Sequence, residues 1–166
     1  MTATTTSKNY VDNKTLTTAL AAWSDECRRC DADNTPRPPL PDVVGETALL
    51  MARKLASKWN FSQYTFREDM ISDSVLAVVK YAHNFDGSKS QNGFAYITTL
   101  LSNAFIRNIQ SEKHQTYTKA KMLEESGLIH SMPHVKESGD ELIRDYENYK
   151  AKKTERLKIA RDSRAT

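Results

Sequence analysis

The sequence predicts an all-α protein, a compact helical bundle followed by an additional charged helix near the C-terminus. The chain of 166 residues contains only five glycines and five prolines, and four of the prolines fall within residues 31–42. Long segments without either residue repeat apolar side chains every three or four positions, which is the period of an amphipathic helix. With 39% hydrophobic and 27% charged residues, the composition is that of a globular domain with tails.

The sequence lacks the signals of membrane, secreted and catalytic proteins. No apolar run approaches the ~20 residues that a membrane span needs, and the N-terminal MTATTTSKNY has no apolar secretory segment. Two cysteines without an export signal predict a reducing cytoplasm. A phosphate-binding loop, a nucleophile elbow and an HExxH motif are absent. We therefore expect a protein that is not an enzyme and needs no cofactor.

The first predicted helix follows a flexible, Thr-rich tail, residues 1–10, and is capped by Asp12 or Asn13. Its apolar stripe consists of Leu16, Leu20, Trp23, Cys27 and Cys30. The two cysteines also form a Cys-x-x-Cys motif, for which His130 and His134 are the remaining candidate zinc ligands. Because free cysteine behaves as a small hydrophobe, we favour core packing and expect no metal site.

A Pro-rich segment, residues 31–42, separates this helix from the next. Proline excludes a helix interior, so the segment is predicted to be a stiff linker, with a Pro-rich docking peptide as the alternative. A second amphipathic helix is predicted to end near Asn60 and Phe61, with an apolar stripe of Val44, Ala48, Met51, Leu55 and Trp59.

The third predicted helix opens with a capping box, Thr65-x-x-Glu68. Its core stripe is Ile71, Val75, Val78, Ala82 and Phe85, and its opposite face carries Asp69, Asp73, Leu76, Val79 and Lys80. Carboxylates beside aliphatic side chains that the core does not use are typical of a surface that binds a protein. A solvated helix face explains the same pattern.

The fourth predicted helix begins near Gly93, after a turn-rich loop, and packs Ile97, Leu101, Ala104 and Phe105 inward. Amide and cationic side chains suit contacts with bases and phosphates, and aromatic side chains can stack on unpaired bases. On these grounds the candidate DNA-binding residues are Phe94, Tyr96, Asn103, Arg107, Gln110, Lys113, His114, Lys119 and Lys121. A core phenylalanine and a solvated polar face are the alternative.

Charge is segregated between these two helices, although the net charge of the chain is only +3. Residues 61–86 hold two cations and four carboxylates, whereas residues 87–123 hold five cations and one carboxylate. Such a division is expected where neighbouring surfaces bind different partners. Beyond a break at Gly127 and a loop through Pro133 and His134, a charged helix is predicted from Asp140 to about Arg161, with a thin stripe of Leu142, Tyr146, Tyr149 and Leu157.

The central segment resembles the second conserved region of bacterial sigma factors. An acidic, aliphatic helix ends in Phe85-Asp86, and an aromatic-led helix follows that carries Arg107-x-Ile109 near its end. Fragments similar to the late-transcription sigma factors of T-even-type phages occur in the same order: NYVDNK (9–14), Trp23, KWNFSQYT (58–65), HNFD (83–86), AYIT (95–98) and NAF (103–105). The resemblance covers about residues 8–126.

The resemblance implies a bundle like sigma-factor domain 2 within residues 11–126, and a loop and charged helix in 127–166. It implies a phage-encoded sigma factor that binds host RNA polymerase core and directs initiation at A/T-rich minus-ten late promoters. The acidic helix, through Asp69, Asp73, Leu76, Val79 and Lys80, would dock on the clamp helices of the largest polymerase subunit. The next helix would bind promoter DNA, in the cytoplasm of the infected bacterium. A polymerase-binding regulator without promoter recognition is the alternative.

The sequence departs from the family pattern in two places. Leu100 and Leu101 stand where housekeeping sigma factors have an aromatic pair, so Phe94 and Tyr96 replace that pair by position alone. The chain ends in ERLKIARDSRAT, which is basic, whereas T-even-type factors end in an acidic, hydrophobic peptide that binds the sliding clamp. The basic end disfavours a clamp contact, and the resemblance leaves room for a phage co-activator.

Overall fold

The first helix begins where the sequence predicts, with Asp12 rather than Asn13 as its cap. The computed structural model of the chain describes residues 10–126 and 133–163, and the side chains of 133–137 lie outside that description. Asp12 is the N-cap, and its carboxylate accepts hydrogen bonds from the backbone N–H of Lys14 and Thr15. The helices are α1 (Asn13–Ala32), α2 (Asp42–Ala56), α3 (Trp59–Ser62), α4 (Arg67–Tyr81), a 3-10 turn (Ala82–Asn84), α5 (Gly93–Glu125) and α6 (Pro133–Asp162).

The all-α class is confirmed, because no strand occurs among the described residues. The contacts divide the chain into two compact units, Met1–Arg107 and Asn108–Thr166, with the division inside α5. The domain boundary predicted after residue 126 stays a prediction. None of the described helices is at once long enough and apolar enough to span a membrane.

The apolar core of the first unit gathers the stripes of four helices. Within this unit, α2 packs on α1 and α4, and the 3-10 turn packs on α1 and α4. The largest fully buried apolar side chains here are Leu16, Leu20, Cys27, Val44, Met70, Val78, Phe85, Ile97, Leu101 and Phe105. Most were predicted from helical spacing. Full burial of one such side chain is worth about 1.5–3 kcal/mol, so this core is the main source of the unit's stability.

The Pro-rich segment is fastened to α1. Residues 33–41 contain no helix, as their prolines require. The indole Nε1 of Trp23 donates a hydrogen bond of 3.2 Å to the carbonyl oxygen of Pro38. Arg37 and Asp31 form an ion pair in which Nε and Oδ1 lie 2.6 Å apart. These two contacts fit the predicted stiff linker and give the segment a defined position on α1.

The prediction that α2 continues to Trp59 is wrong. The helix ends at Ala56, and Lys58 takes an extended backbone angle (ψ 144°) before the four-residue α3 begins. Because this break turns the chain, the side chain of Trp59 is 75% exposed instead of joining the core stripe. The ring of Phe61 occupies the inner position instead, in an edge-on contact of 5.1 Å with the ring of Phe105.

The predicted capping box at the start of α4 is also wrong. The helix begins at Arg67, its N-cap is Phe66, and no side chain caps its first turn. At its other end the chain turns through the 3-10 segment and buries Phe85, whose carbonyl oxygen accepts a hydrogen bond from the guanidinium of Arg28. Asp86 then accepts hydrogen bonds from the backbone N–H and the hydroxyl of Ser88.

The last helix is longer than predicted. It begins at Pro133 rather than Asp140, and proline suits a first helical position because its missing N–H is not needed there. The predicted stripe is half right, since Tyr146 and Tyr149 are partly buried whereas Leu142 and Leu157 are 44% and 63% exposed. Among the side chains of α6 that the structure describes, the buried apolar one is instead Ile143.

Candidate functional site

The outer face of α4 carries all five predicted partner-binding residues. Met70, Ile71, Ser74, Ala77 and Val78 are buried on the inner face. Asp69, Asp73 and Lys80 are exposed on the other side, and the side chains of Leu76 and Val79 are each 47% exposed. We call these five residues the α4 outer face. Tyr81, which is not among the predicted residues, is exposed at the end of the same helix.

The charges of the α4 outer face are not neutralised within the described part of the chain. Asp69, Asp73 and Lys80 take part in none of the ion pairs there, while the neighbouring Glu68 lies 3.6 Å from Arg67. Carboxylates in the first turn and a cation in the last turn suit the helix dipole, so the helix tolerates these charges. A basic partner could pair with both carboxylates and cover the aliphatic side chains of Leu76 and Val79, which follow them along the helix.

The first turn of α5 is capped by side chains from α1. The backbone N–H of Gly93 donates to Thr17 Oγ1 over 2.9 Å, and that of Phe94 donates to Asn13 Oδ1 over 3.0 Å. Asn92 Oδ1 accepts from the N–H of Ala95, also over 3.0 Å. A Cβ at Gly93 would lie 3.0 Å from Thr17 Cα, so the close approach of the two helices favours glycine at this position.

An open pocket of about 210 Å³ lies beside this capped turn, lined by Tyr10, Val11, Asn13, Asn92 and Phe94. The rings of Tyr10 and Phe94 meet edge-on with their centres 6.0 Å apart. Because the amide oxygens of both asparagines accept backbone N–H groups, their NH₂ groups remain as donors. A pocket with aromatic rings and amide NH₂ donors in its wall can bind a planar group that has several hydrogen-bond acceptors, such as an unpaired base.

Lys54 extends this pocket with a cation, because its Nζ lies 5.7 Å from the centre of the Tyr10 ring. Sequence reasoning missed Tyr10, Asn13, Asn92 and Lys54. Tyr10 is predicted to belong to the flexible tail, yet its ring contacts that of Phe94; residues 1–9 of that tail lie outside the described residues. An aromatic and an aliphatic residue just before an N-cap, Tyr10-Val11, are the signal that could have placed this segment on the fold.

Tyr96, the second aromatic residue predicted to contact DNA, is built into the fold. Its ring lies 5.2 Å from that of Phe85, and its hydroxyl donates a hydrogen bond of 3.0 Å to the carbonyl oxygen of Tyr81. Burial raises the pKa of the Tyr96 hydroxyl. Tyr96 therefore fixes the end of α4 to the start of α5, which leaves Phe94 as the aromatic candidate for stacking on a base.

The predicted polar face of α5 is divided between the two units. Asn103 and Arg107 are exposed in the first unit. In the second unit, Gln110 Oε1 accepts a hydrogen bond from Lys153 of α6, and His114 Nδ1 is hydrogen-bonded to the hydroxyl of Tyr146 at 3.0 Å. The helical spacing of these side chains had predicted that one ligand would contact all of them.

The predicted lysines of the second unit differ in their surroundings. Lys113 Nζ lies 5.3 Å above the ring of Tyr149. Lys121 donates a 3.0 Å hydrogen bond to Glu124, which raises the pKa of Lys121. Lys119 is exposed. Four of the nine predicted DNA-binding residues, Gln110, Lys113, His114 and Lys121, thus have partners within the second unit.

The Cys-x-x-Cys motif lies on the inner side of α1. Both thiols are free, Cys27 is fully buried and Cys30 is half-buried. Burial raises the pKa of the Cys27 thiol, which disfavours the thiolate that zinc would require. Side chains of the described residues form no cluster of three potential metal ligands; His130 and the side chain of His134 lie outside the description.

Comparison with models of known protein families gives no match for this chain, and comparison with curated protein sequences gives none either.

Proposed function

We propose that this chain is a phage-encoded sigma factor that binds the RNA polymerase core of its bacterial host and directs initiation at A/T-rich minus-ten late promoters. The α4 outer face would dock on the clamp helices of the largest polymerase subunit. The start of α5 and its exposed polar residues would contact promoter DNA. The polymerase would supply the chemistry, in the cytoplasm of the infected cell.

The observation that carries the proposal is the α4 outer face. Its carboxylates have no ion-pair partner among the described residues, and nearly half of the Leu76 and Val79 side chains is exposed. An aliphatic centre bordered by unpaired charges favours a protein partner of opposite charge. The aromatic pocket at the start of α5 supports the second half of the proposal, because its donors suit an acceptor-rich base.

The proposal is tested by run-off transcription with bacterial core polymerase and this chain. We expect transcripts from an A/T-rich promoter that has no minus-thirty-five element. Asp73→Lys should weaken core binding about tenfold or more, equivalent to ~1.4 kcal/mol, because a carboxylate facing a basic partner becomes a repulsive cation. Glu26→Lys, on the exposed side of α1, makes the same charge change and should bind normally. No core binding at micromolar concentration would end the proposal.

A polymerase-binding regulator without promoter recognition is the second candidate. It is favoured by the partners that Gln110, Lys113, His114 and Lys121 already have within the second unit. Arg107→Ala separates the two candidates, since Arg107 is exposed on the predicted DNA face. A sigma factor should lose promoter complexes at least fivefold and keep core binding. If the chain is the regulator, the original chain and the Arg107→Ala variant should bind core equally well, and neither should yield a promoter-specific transcript.

A further inference from the structure

The C-terminal half of α6 concentrates positive charge. Residues 150–161 carry six cations and one carboxylate, Glu155, so they hold +5 of a chain whose net charge is +3, and the remaining residues together carry −2. Every residue from 150 to 163 is exposed. The cations are Lys150, Lys152, Lys153, Arg156, Lys158 and Arg161. The modest charge of the whole chain conceals this cationic segment.

These six cations are available to an external anion. None of them forms an ion pair with a carboxylate within the part of the chain that the structure describes. Like charges this close repel one another, and a bound polyanion relieves that repulsion while releasing its own counterions. The segment therefore favours nucleic acid over an isolated small anion.

One flank of the segment opens into a groove of about 400 Å³ in the second unit, lined by Gln110, Tyr149, Lys152, Lys153, Arg156 and Leu157. Its lining contains three cations and no carboxylate. Lys153 is held in place, because its Nζ donates a hydrogen bond of 3.3 Å to Gln110 Oε1. The groove therefore has a cationic wall on the side of α6 where Gln110 of α5 holds Lys153.

The arrangement of the cations favours a duplex over a single strand. Lys152 and Arg156 are four residues apart and lie along the groove flank of α6. Lys150 and Arg161 are three helical turns apart on the other flank, with Lys158 next to them. A single strand offers one row of phosphates. The major groove of B-DNA is about 12 Å wide and can admit an α-helix of 10–12 Å diameter, which then has a row of phosphates on each side.

We propose that residues 150–161 of α6 bind the phosphate backbone of duplex DNA without sequence preference. This contact is separate from the proposed promoter recognition by α5 and does not require polymerase. In a chain that also recognises a promoter, it would hold flanking duplex DNA.

The test measures binding of the full-length chain alone to a fluorescein-labelled 20-base-pair duplex of random sequence, by anisotropy over a range of salt concentrations. The variant Lys152→Gln, Lys153→Gln, Arg156→Gln should bind at least tenfold more weakly at about 100 mM salt. Its salt slope should fall by about 2–3, since each lost phosphate contact contributes about 0.9. Circular dichroism verifies that the helix content is unchanged.

The matched control is Lys14→Gln, Arg29→Gln, Arg53→Gln, which removes three exposed cations from the first unit and should change affinity less than twofold. Equal weakening in both variants would mean that net charge alone drives binding and would overturn the proposal. So would equal or tighter binding of a labelled 20-nucleotide single strand. Because polymerase is absent, the outcome does not depend on whether the chain is a sigma factor.

Discussion

The two units of this chain are stabilised by different kinds of contact. Of the apolar side chains that are buried among the described residues, twenty lie in the unit Met1–Arg107 and two, Ala120 and Ile143, lie in Asn108–Thr166. The second unit relies instead on a seam of aromatic and polar side chains between α5 and α6. We call this the aromatic seam: His114, Tyr117, Tyr146 and Tyr149, with Lys113 above one ring.

The two candidate binding surfaces therefore belong to units of unequal stability. An aromatic pair adds only about 0.5–1.5 kcal/mol beyond its area burial, and a segment with few buried apolar contacts opens at lower free energy than a core. The α4 outer face belongs to the unit with the extensive core. The cationic segment of α6 belongs to the other, so we expect it to adapt its position when it binds.

A cavity in the core of the first unit should be the most destabilising change. Phe105 is fully buried and contacts the ring of Phe61. Phe105→Ala should lower the free energy of unfolding by about 3–5 kcal/mol, because it leaves a cavity in a packed core. Urea denaturation followed by circular dichroism measures the loss.

Ile143→Ala is the matched truncation in the second unit. If the second unit is only marginally stable, this variant should leave the main urea transition unchanged. Hydrogen-exchange protection should be abolished only in the second unit. A main transition that shifts as much as in Phe105→Ala would contradict the division into a strong and a weak unit.

An intermediate effect is expected at the centre of the aromatic seam. Tyr146 stacks on Tyr117 with ring centres 4.5 Å apart, and its hydroxyl is hydrogen-bonded to His114. Tyr146→Ala should speed amide exchange along α6 about tenfold or more, since it removes both contacts. Tyr146→Phe keeps the ring and loses one hydrogen bond, worth about 0.5–1.5 kcal/mol, and should be milder. Identical exchange in the two variants would show that ring stacking contributes nothing.

The smallest effect is a pH dependence in the first unit. Hydrogen bonds from Ser88 and an ion pair with Lys89 hold the pKa of Asp86 well below its usual value. Because the folded pKa lies below the unfolded one, this carboxylate contributes stability that is fully present above pH ~4, the unfolded pKa, and is lost as pH falls below that value toward the folded pKa. Asp86→Asn should therefore be slightly less stable at pH 7 and show a smaller stability loss between pH 7 and pH 3. Equal changes in the free energy of unfolding with pH for the original chain and the variant would contradict the assignment of this pH dependence to Asp86.

Helical spacing predicted most of the first unit correctly because its helices have one apolar face each. Leu16, Leu20, Trp23 and Cys27 recur at helical intervals and are all buried. Asp12 caps α1 because its short carboxylate reaches the free N–H groups of the first turn. In such segments the spacing of nearby apolar residues and one capping side chain determine where the helix lies and which face it buries.

The errors occur where the outcome depends on residues far away in the chain. Nothing local ends α2 at Ala56, and Trp59 continues its apolar spacing. The inward position is taken by Phe61, which meets Phe105, a contact between distant segments. Likewise, periodicity marks Gln110 and His114 as a polar face but does not say whether that face meets solvent, DNA or another helix. In the structure, α6 meets it.

The caps at the start of α5 also bear on how the protein folds. The N–H groups of Gly93 and Phe94 find their acceptors in Thr17 and Asn13, which are 76 and 81 residues earlier in the chain. Such distant contacts pay the entropy of closing a long loop and slow folding. During synthesis from the N-terminus, the first turn of α1 emerges long before its partners. Those polar contacts therefore form only after the start of α5 has left the ribosome.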